Sequence, residues 1–189
     1  MRRIIVGISG ASGVVMGQHL LMALQRLCDW DIHLIVSSSA KLTWKLEMQA
    51  DIEDLYRLAT VVHDENNMAA SISSGSFVTE GMIVLPCSMK SLAGIVSGYT
   101  DNLLLRAADV CLKENRKLVL APREMPLGKI HLRNMSEAAD LGCTIIPPML
   151  TFYNAPETLD DQIQHVIGKI LLQFGFEHTR FKPWRGSLS

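Results

Sequence analysis

The residues best placed to do chemistry stand just past short apolar runs. Arg123-Glu124 follows Leu118-Val119-Leu120-Ala121-Pro122, and Arg123 is placed there to clasp a phosphate or to pair with its neighbour. Hydroxyls close two other runs. Ser37-Ser38-Ser39 ends Ile32-His33-Leu34-Ile35-Val36, and Pro86-Cys87-Ser88-Met89-Lys90-Ser91 bends away from Met82-Ile83-Val84-Leu85. Near the start, Ile4-Ile5-Val6 empties into Gly7-Ile8-Ser9-Gly10-Ala11-Ser12-Gly13, and Val14 to Leu24 follows with a helical pattern. Glycines let the backbone turn tightly and approach a ligand, and the N–H groups at the start of the next helix suit a phosphate. Arg106, Asp109 and Lys113 recur at a spacing that sets them on neighbouring turns of one helix face, and Tyr153 follows Pro147-Pro148. The common theme is recognition of an anion by backbone N–H groups, hydroxyls and cations.

The spacing narrows the ligand. A dinucleotide site wants G-x-G-x-x-G and an acidic residue about 20 positions later for a ribose diol. Here the pattern is G-x-x-G-x-x-G and the second run ends in serines, which disfavours NAD. No G-x-x-x-x-G-K-[ST] follows, which disfavours a nucleoside triphosphatase.

The elements that must position these groups alternate. Apolar runs at Ile4–Val6, Ile32–Val36, Met82–Leu85, Leu118–Ala121 and Cys143–Ile146 are separated by helical segments. Those segments are Val14–Leu24, Ala40–Met48, a short helix over Leu55–Leu58, one running to Val96, Leu103–Asn115, Ile130–Leu141 and Leu159–Phe174. His63 to Thr79 is polar and serine-rich, and reads as a long surface loop or lid. Strands alternating with helices predict crossover connections and an α/β fold: a three-layer, doubly wound parallel sheet, Rossmann-like or flavodoxin-like, in a single domain over residues 1–189 with 177–189 as a C-terminal tail. Ligands of such sheets sit at the strand C-termini, and the sheet would gather Ser12, Ser37, Ser88, Arg123 and Tyr153 on that one edge.

Bulk properties agree. The 189 residues, 48% apolar, suffice for one well-cored domain, and 18 basic against 19 acidic residues leave no positive excess to track nucleic acid or an anionic membrane. No apolar run approaches the ~18 residues of a membrane span, and the N-terminus lacks a signal-peptide pattern. Cys28, Cys87, Cys111 and Cys143 show no C-x-x-C spacing, so reduced and mostly buried thiols are expected, as in the cytoplasm. Asp160-Asp161 is expected to serve the start of a helix rather than a metal-bound diphosphate.

Longer phrases carry a resemblance. Pro86-Cys87-Ser88-Met89, Asp101-Asn102-Leu103, Arg106-Ala107-Ala108-Asp109-Val110, Pro122-Arg123-Glu124-Met125-Pro126-Leu127 and Phe152-Tyr153 are collinear with the UbiX family of flavin prenyltransferases, as are Gly10-Ala11-Ser12-Gly13 and Ser73-Ser74-Gly75-Ser76. The match runs from about Ile5 to Trp184. The resemblance implies reduced FMN and dimethylallyl phosphate as substrates, joining at flavin N5 and C6, and prenylated FMN as the product for a UbiD-type decarboxylase. It also implies a dodecameric, metal-independent enzyme. It places Gly10, Ala11, Ser12, Ser37, Ser88, Met89, Lys90, Ser91 and Arg123 at FMN. Tyr153 and Lys169 become ligands of dimethylallyl phosphate, with Arg106, Lys113, Glu47 and Glu124 around the reaction centre. Lys113, Arg123 and Lys169 would then hold the leaving phosphate, Glu124 would supply a proton if a phosphate neighbour or burial keeps it protonated, and Tyr153 and Trp184 would wall a carbocation-like prenyl group.

The chain departs from the family pattern at Lys169, where many members carry Arg, at Leu150-Thr151 and at Met16. Lys169 is a point charge in place of a bidentate clamp. These departures keep open a non-catalytic FMN carrier subunit, and His19 keeps open an FMN-dependent cysteine decarboxylase, although His19 fits a partly exposed helix residue better. Cys87, with no His–Asp partner order, is expected to line the site as a small apolar residue.

Overall fold

The computed structural model describes residues 2–27, 30–184 and 186. Its strands are β1 (Arg2–Ile8), β2 (Trp30–Val36), β3 (Val61–His63), β4 (Gly81–Cys87), β5 (Lys117–Pro122) and β6 (Thr144–Ile145). They form one parallel sheet in the order β3-β2-β1-β4-β5-β6. The central strands are continuous apolar runs because helices cover both faces, so every position along β4 is buried. The order reverses between β1 and β4, the switch point at which a doubly wound sheet opens a crevice.

One strand more is present than the sequence pattern shows. Val61–His63 is three residues long and lies at the sheet edge beside β2, with both valines exposed, too short to display a period and adjoining a polar stretch. Without β3 the order is that of a flavodoxin-like sheet, and with it that of a Rossmann sheet.

The helices are α1 (Val14–Gln25), α2 (Ser38–Glu47), α3 (Ile52–Tyr56), α4 (Met89–Ser97), α5 (Leu103–Lys113), α6 (Lys129–Asp140) and α7 (Leu159–Leu172). Alternate residues of β1 divide the core. Ile4, Val6 and Ile8 pack with Leu20, Leu24, Trp44, Ile167 and Ile170 from α1, α2 and α7. Ile5 joins Met82, Val84, Leu104, Ala108 and Cys111 on the other face, where α4, α5 and α6 lie. Cys87, Cys111 and Cys143 are buried free thiols, and burial raises Cys87 and Cys111 to about 12 and Cys143 to about 11. They are inert packing groups, buried and free as expected, but Cys87 packs in the core and does not line the site as its sequence position suggested; Cys28 lies outside the described residues.

The serine-rich stretch after β3 is tied down rather than free. Ile72 is buried, Arg106 Nε donates to the Ser73 carbonyl (3.1 Å), Arg116 donates to the carbonyls of Phe77 (2.8 Å) and Gly75, and Arg3 reaches that of Val78 (3.4 Å). The expected loop or lid is a pinned connection whose polar side chains hide an arginine-bound backbone. Asp161 accepts from the Thr158 N–H (3.0 Å) and hydroxyl (2.9 Å) in a reciprocal cap of α7, the expected role for that carboxylate.

Candidate functional site

At the C-terminal edge of the sheet, a cavity of about 500 Å³ is lined by Gly10 after β1, Ser37–Ser39 after β2, Glu65 and Asn66 after β3, and Ser88, Lys90 and Ser91 after β4. Its hydroxyls are set by capping. Ser37 accepts from the Ala40 N–H (3.2 Å) at the start of α2, and Ser88 accepts from the Ser91 N–H (3.2 Å) at the start of α4 while donating to Ser91 Oγ (3.1 Å). Buried Ser9 joins the two sides of the switch point: its hydroxyl donates to the Pro86 carbonyl (3.0 Å) and accepts from the Ser88 N–H (2.7 Å). Sequence reading passed over Ser9 because a lone serine inside a glycine loop gives no sign of a partner 79 residues away. Gly10 is required by contact, since a Cβ there would lie 2.3 Å from Ser39 Cβ.

The start of α1, where the glycine loop was expected to present N–H groups to a phosphate, is already filled. Gly13, left-handed at φ 98°, and Val14 donate their N–H groups to Glu47 at 2.9 and 3.3 Å. Burial pushes the Glu47 carboxyl up, but the Ser12 hydroxyl, these two N–H groups and the Arg123 guanidinium outweigh it and hold the carboxyl below its ordinary range. A side chain of the protein therefore occupies the Gly13 and Val14 N–H groups at the start of α1.

A second cavity, of about 400 Å³, lies along the same edge beyond β4 and β5. Met89, Pro122, Met125, Pro147 and Met149 give it apolar walls, and Arg123 and Glu124 are its charged groups. Glu124 Oε1 accepts from the Met125 N–H (2.9 Å). Glu124 is exposed in the chain.

The other predicted residues fall in two separate places. Tyr153 Oη lies 3.1 Å from His165 Nε2, with the Trp184 ring edge-on at 5.7 Å between centroids. Lys169 is exposed one turn along α7 from His165, and burial together with Lys169 lowers the His165 pKa. His165 was missed because its position within the buried face of α7 looks like core. Arg106 and Lys113, on α5, line neither cavity: Arg106 pairs with Asp109 (2.7 Å) as well as Ser73, and Lys113 with Glu114 (2.7 Å) beside Gly75. His19 is a half-buried α1 residue 2.8 Å from Gln164 Nε2, matching its helix reading. Among the described residues no group of three or more His, Cys, Asp or Glu could hold a metal ion, and no helix is long and apolar enough to cross a membrane.

Known proteins resemble this whole arrangement. The family model described as Flavoprotein matches residues 1–171. A probable UbiX-like flavin prenyltransferase of Sedimentibacter hydroxybenzoicus is 63% identical over 185 residues, covering 98% of each chain. Two solved structures superpose with a TM-score of 0.95. One is a dodecameric FMN-dependent UbiX-like decarboxylase from Escherichia coli O157:H7, 52% identical over 97% of this chain and 100% of that one. The other is AnUbiX (PadA1) in complex with FMN and dimethylallyl pyrophosphate, 46% identical over 98% of both chains. The chain belongs to the flavoprotein family, and within it to the UbiX-like flavin prenyltransferases.

Proposed function

We propose that this protein joins the dimethylallyl group of dimethylallyl phosphate to N5 and C6 of reduced FMN and releases inorganic phosphate. The observation that carries the reading is the pair of unlike cavities on one sheet edge: a hydroxyl-lined one suited to a phosphate-bearing mononucleotide and an apolar one suited to a prenyl chain. The relative solved with FMN and dimethylallyl pyrophosphate supports the same pairing. The chain fits FMN on its own chemistry. Ser37, Ser88 and Ser91 offer hydroxyls, Lys90 a cation, and the Gly10–Ser39 approach is close enough to exclude a side chain.

Reduced FMN supplies the nucleophilic nitrogen and carbon. The chain's own residues hold the phosphate, exclude water and deliver a proton. Arg123 stands between the regions, lining the apolar cavity while its charge bears on Glu47. In this reading Glu124 gives a proton to the leaving phosphate, and the methionine and proline walls keep the prenyl cation from water. Lys169 and Tyr153 bind the phosphate of the prenyl donor, Trp184 faces its developing positive charge, and Arg106, Lys113 and Glu47 complete the centre. These residues stand apart within one chain, so the reading includes a homo-oligomer, a dodecamer as in the E. coli relative. Met125 and Phe152, 87% and 76% exposed, support a second copy covering this edge. The proposed setting is the cytoplasm, the recipient of prenylated FMN a UbiD-type decarboxylase, and the unit a single domain over residues 1–189 whose tail is 177–189.

The test is anaerobic mixing of the protein with reduced FMN and dimethylallyl phosphate without added metal, followed by mass spectrometry. A flavin heavier by one prenyl group is expected. Tightly bound but unchanged FMN would make the protein a carrier.

A further inference from the structure

Strand β3 delivers an unexpected group to the hydroxyl-lined cavity. Pairing of Val61–His63 with His33–Ile35 brings the next residues, Asp64-Glu65-Asn66, to the edge where β2 ends in serines. Glu65 is buried, and its carboxylate accepts hydrogen bonds from the Ser38 N–H (2.5 Å) and the Ser38 hydroxyl at the start of α2. Its position is fixed from behind, because its backbone carbonyl accepts the Leu103 N–H (2.7 Å) at the start of α5. A buried carboxylate persists only where donors replace its water, and these donors belong to the cavity that Gly10, Ser37, Ser88 and Lys90 also line.

Those donors are of the kind a phosphate monoester would seek. A carboxylate already holding them is a rival for the same N–H and hydroxyl, and a negative charge against which a second anion must be brought. We infer that Glu65 is a specificity-determining residue that competes with the phosphate of an incoming flavin mononucleotide, so that the nucleotide binds only by displacing it from Ser38. This rests on the FMN reading above. It also fits an enzyme for which the flavin is a substrate: the product carries the same phosphate and must leave, and a carboxylate that returns to Ser38 hastens its release.

The experiment compares FMN with riboflavin, which lacks the phosphate, by flavin fluorescence on the full-length wild type and on the Glu65→Gln and Glu65→Ala variants. Equilibrium titration gives Kd and dilution gives the off-rate. Removing the like charge is expected to tighten FMN about tenfold and slow its release comparably in both variants, with riboflavin changing by less than about twofold. A role in merely supporting the fold would move both flavins together. Unchanged or weaker FMN binding in both variants, or equal shifts for the two flavins, overturns the inference while leaving the FMN reading intact if wild type binds FMN. Failure of all three proteins to bind FMN overturns both.

Discussion

The two cavities on the sheet edge are built by different means. Around Ser37 and Ser88 the hydroxyls are positioned by hydrogen bonds and close contact: they cap α2 and α4, Ser9 bridges β1 to β4, and Gly10 presses against Ser39. Around Glu124 the walls are methionine and proline, and the Glu124 side chain accepts from the N–H of the adjacent Met125. The first is a polar cavity whose hydroxyls are held by the caps of α2 and α4. The second is an adaptable apolar wall with two charges, closer to what a reactive cation and a departing phosphate require. The hydroxyl-lined cavity straddles the switch point, with groups from the ends of β1, β2, β3 and β4, whereas the apolar one lies beyond it around β4 and β5, and the proposed division of binding from chemistry is tested by damaging each cavity in turn.

The largest expected effect separates them directly. Glu124→Gln keeps the shape but removes the proton, so prenyl transfer should slow by about 100-fold or more while FMN affinity stays the same. Single-turnover mass spectrometry beside a fluorescence titration checks both halves; an equal loss in each would mean the cavities do not divide the work. Gly10→Ala is the converse. The added Cβ, 2.3 Å from Ser39 Cβ, must push the loop off α2 and is expected to cost about 1–3 kcal/mol, read as FMN affinity weakened at least about fivefold. The transfer rate at saturating flavin should fall far less.

Ser9→Ala tests the bridge between the halves. The variant leaves the Ser88 N–H without its 2.7 Å acceptor, which is expected to cost about 1–2 kcal/mol in urea unfolding and to loosen the Ser88–Ser91 turn. Stability equal to wild type would show that a water replaces the hydroxyl.

Much of the fold was legible because it rests on period and punctuation. The long apolar strands and the helices over Val14–Leu24, Leu103–Asn115 and Leu159–Phe174 come from local signals that tertiary packing did not override, and in the structure Asn102 caps α5 (3.0 Å to the Leu105 N–H) and Thr158 caps α7. What escaped was whatever depends on a distant partner. β3 exists because β2 offers it an edge, the polar 71–77 segment is fixed by arginines from elsewhere, and Glu65 and His165 acquire their roles from Ser38 and Tyr153. The serines past the strand ends line the cavity and also cap α2 and α4, since one hydroxyl can do both. Nothing local to Gly10–Gly13 reveals that Glu47, 34 residues on, returns to the Gly13 N–H.

That return supplies the smallest and most diagnostic prediction, because Glu47 joins the polar loop to Arg123 of the apolar wall. Its carboxyl is held below the ordinary value of 4.5, so the folded state binds its proton less readily than the unfolded state does. The stabilisation is therefore fully present above that ordinary value and is lost as pH falls through the depressed one. Wild type should lose stability more steeply than Glu47→Gln in this acid window, while the two should run parallel near neutrality. The difference should be modest, since Glu47 is exposed and screened by solvent. Urea midpoints measured at intervals down from neutral pH check it. If the two curves stay parallel throughout, the carboxylate is not anchored on α1 in solution, and the N–H groups of Gly13 and Val14 become available for a ligand phosphate. That result would move the anion site from the serines of β2 and β4 back to the glycine loop and erase the division between the cavities at its narrowest point.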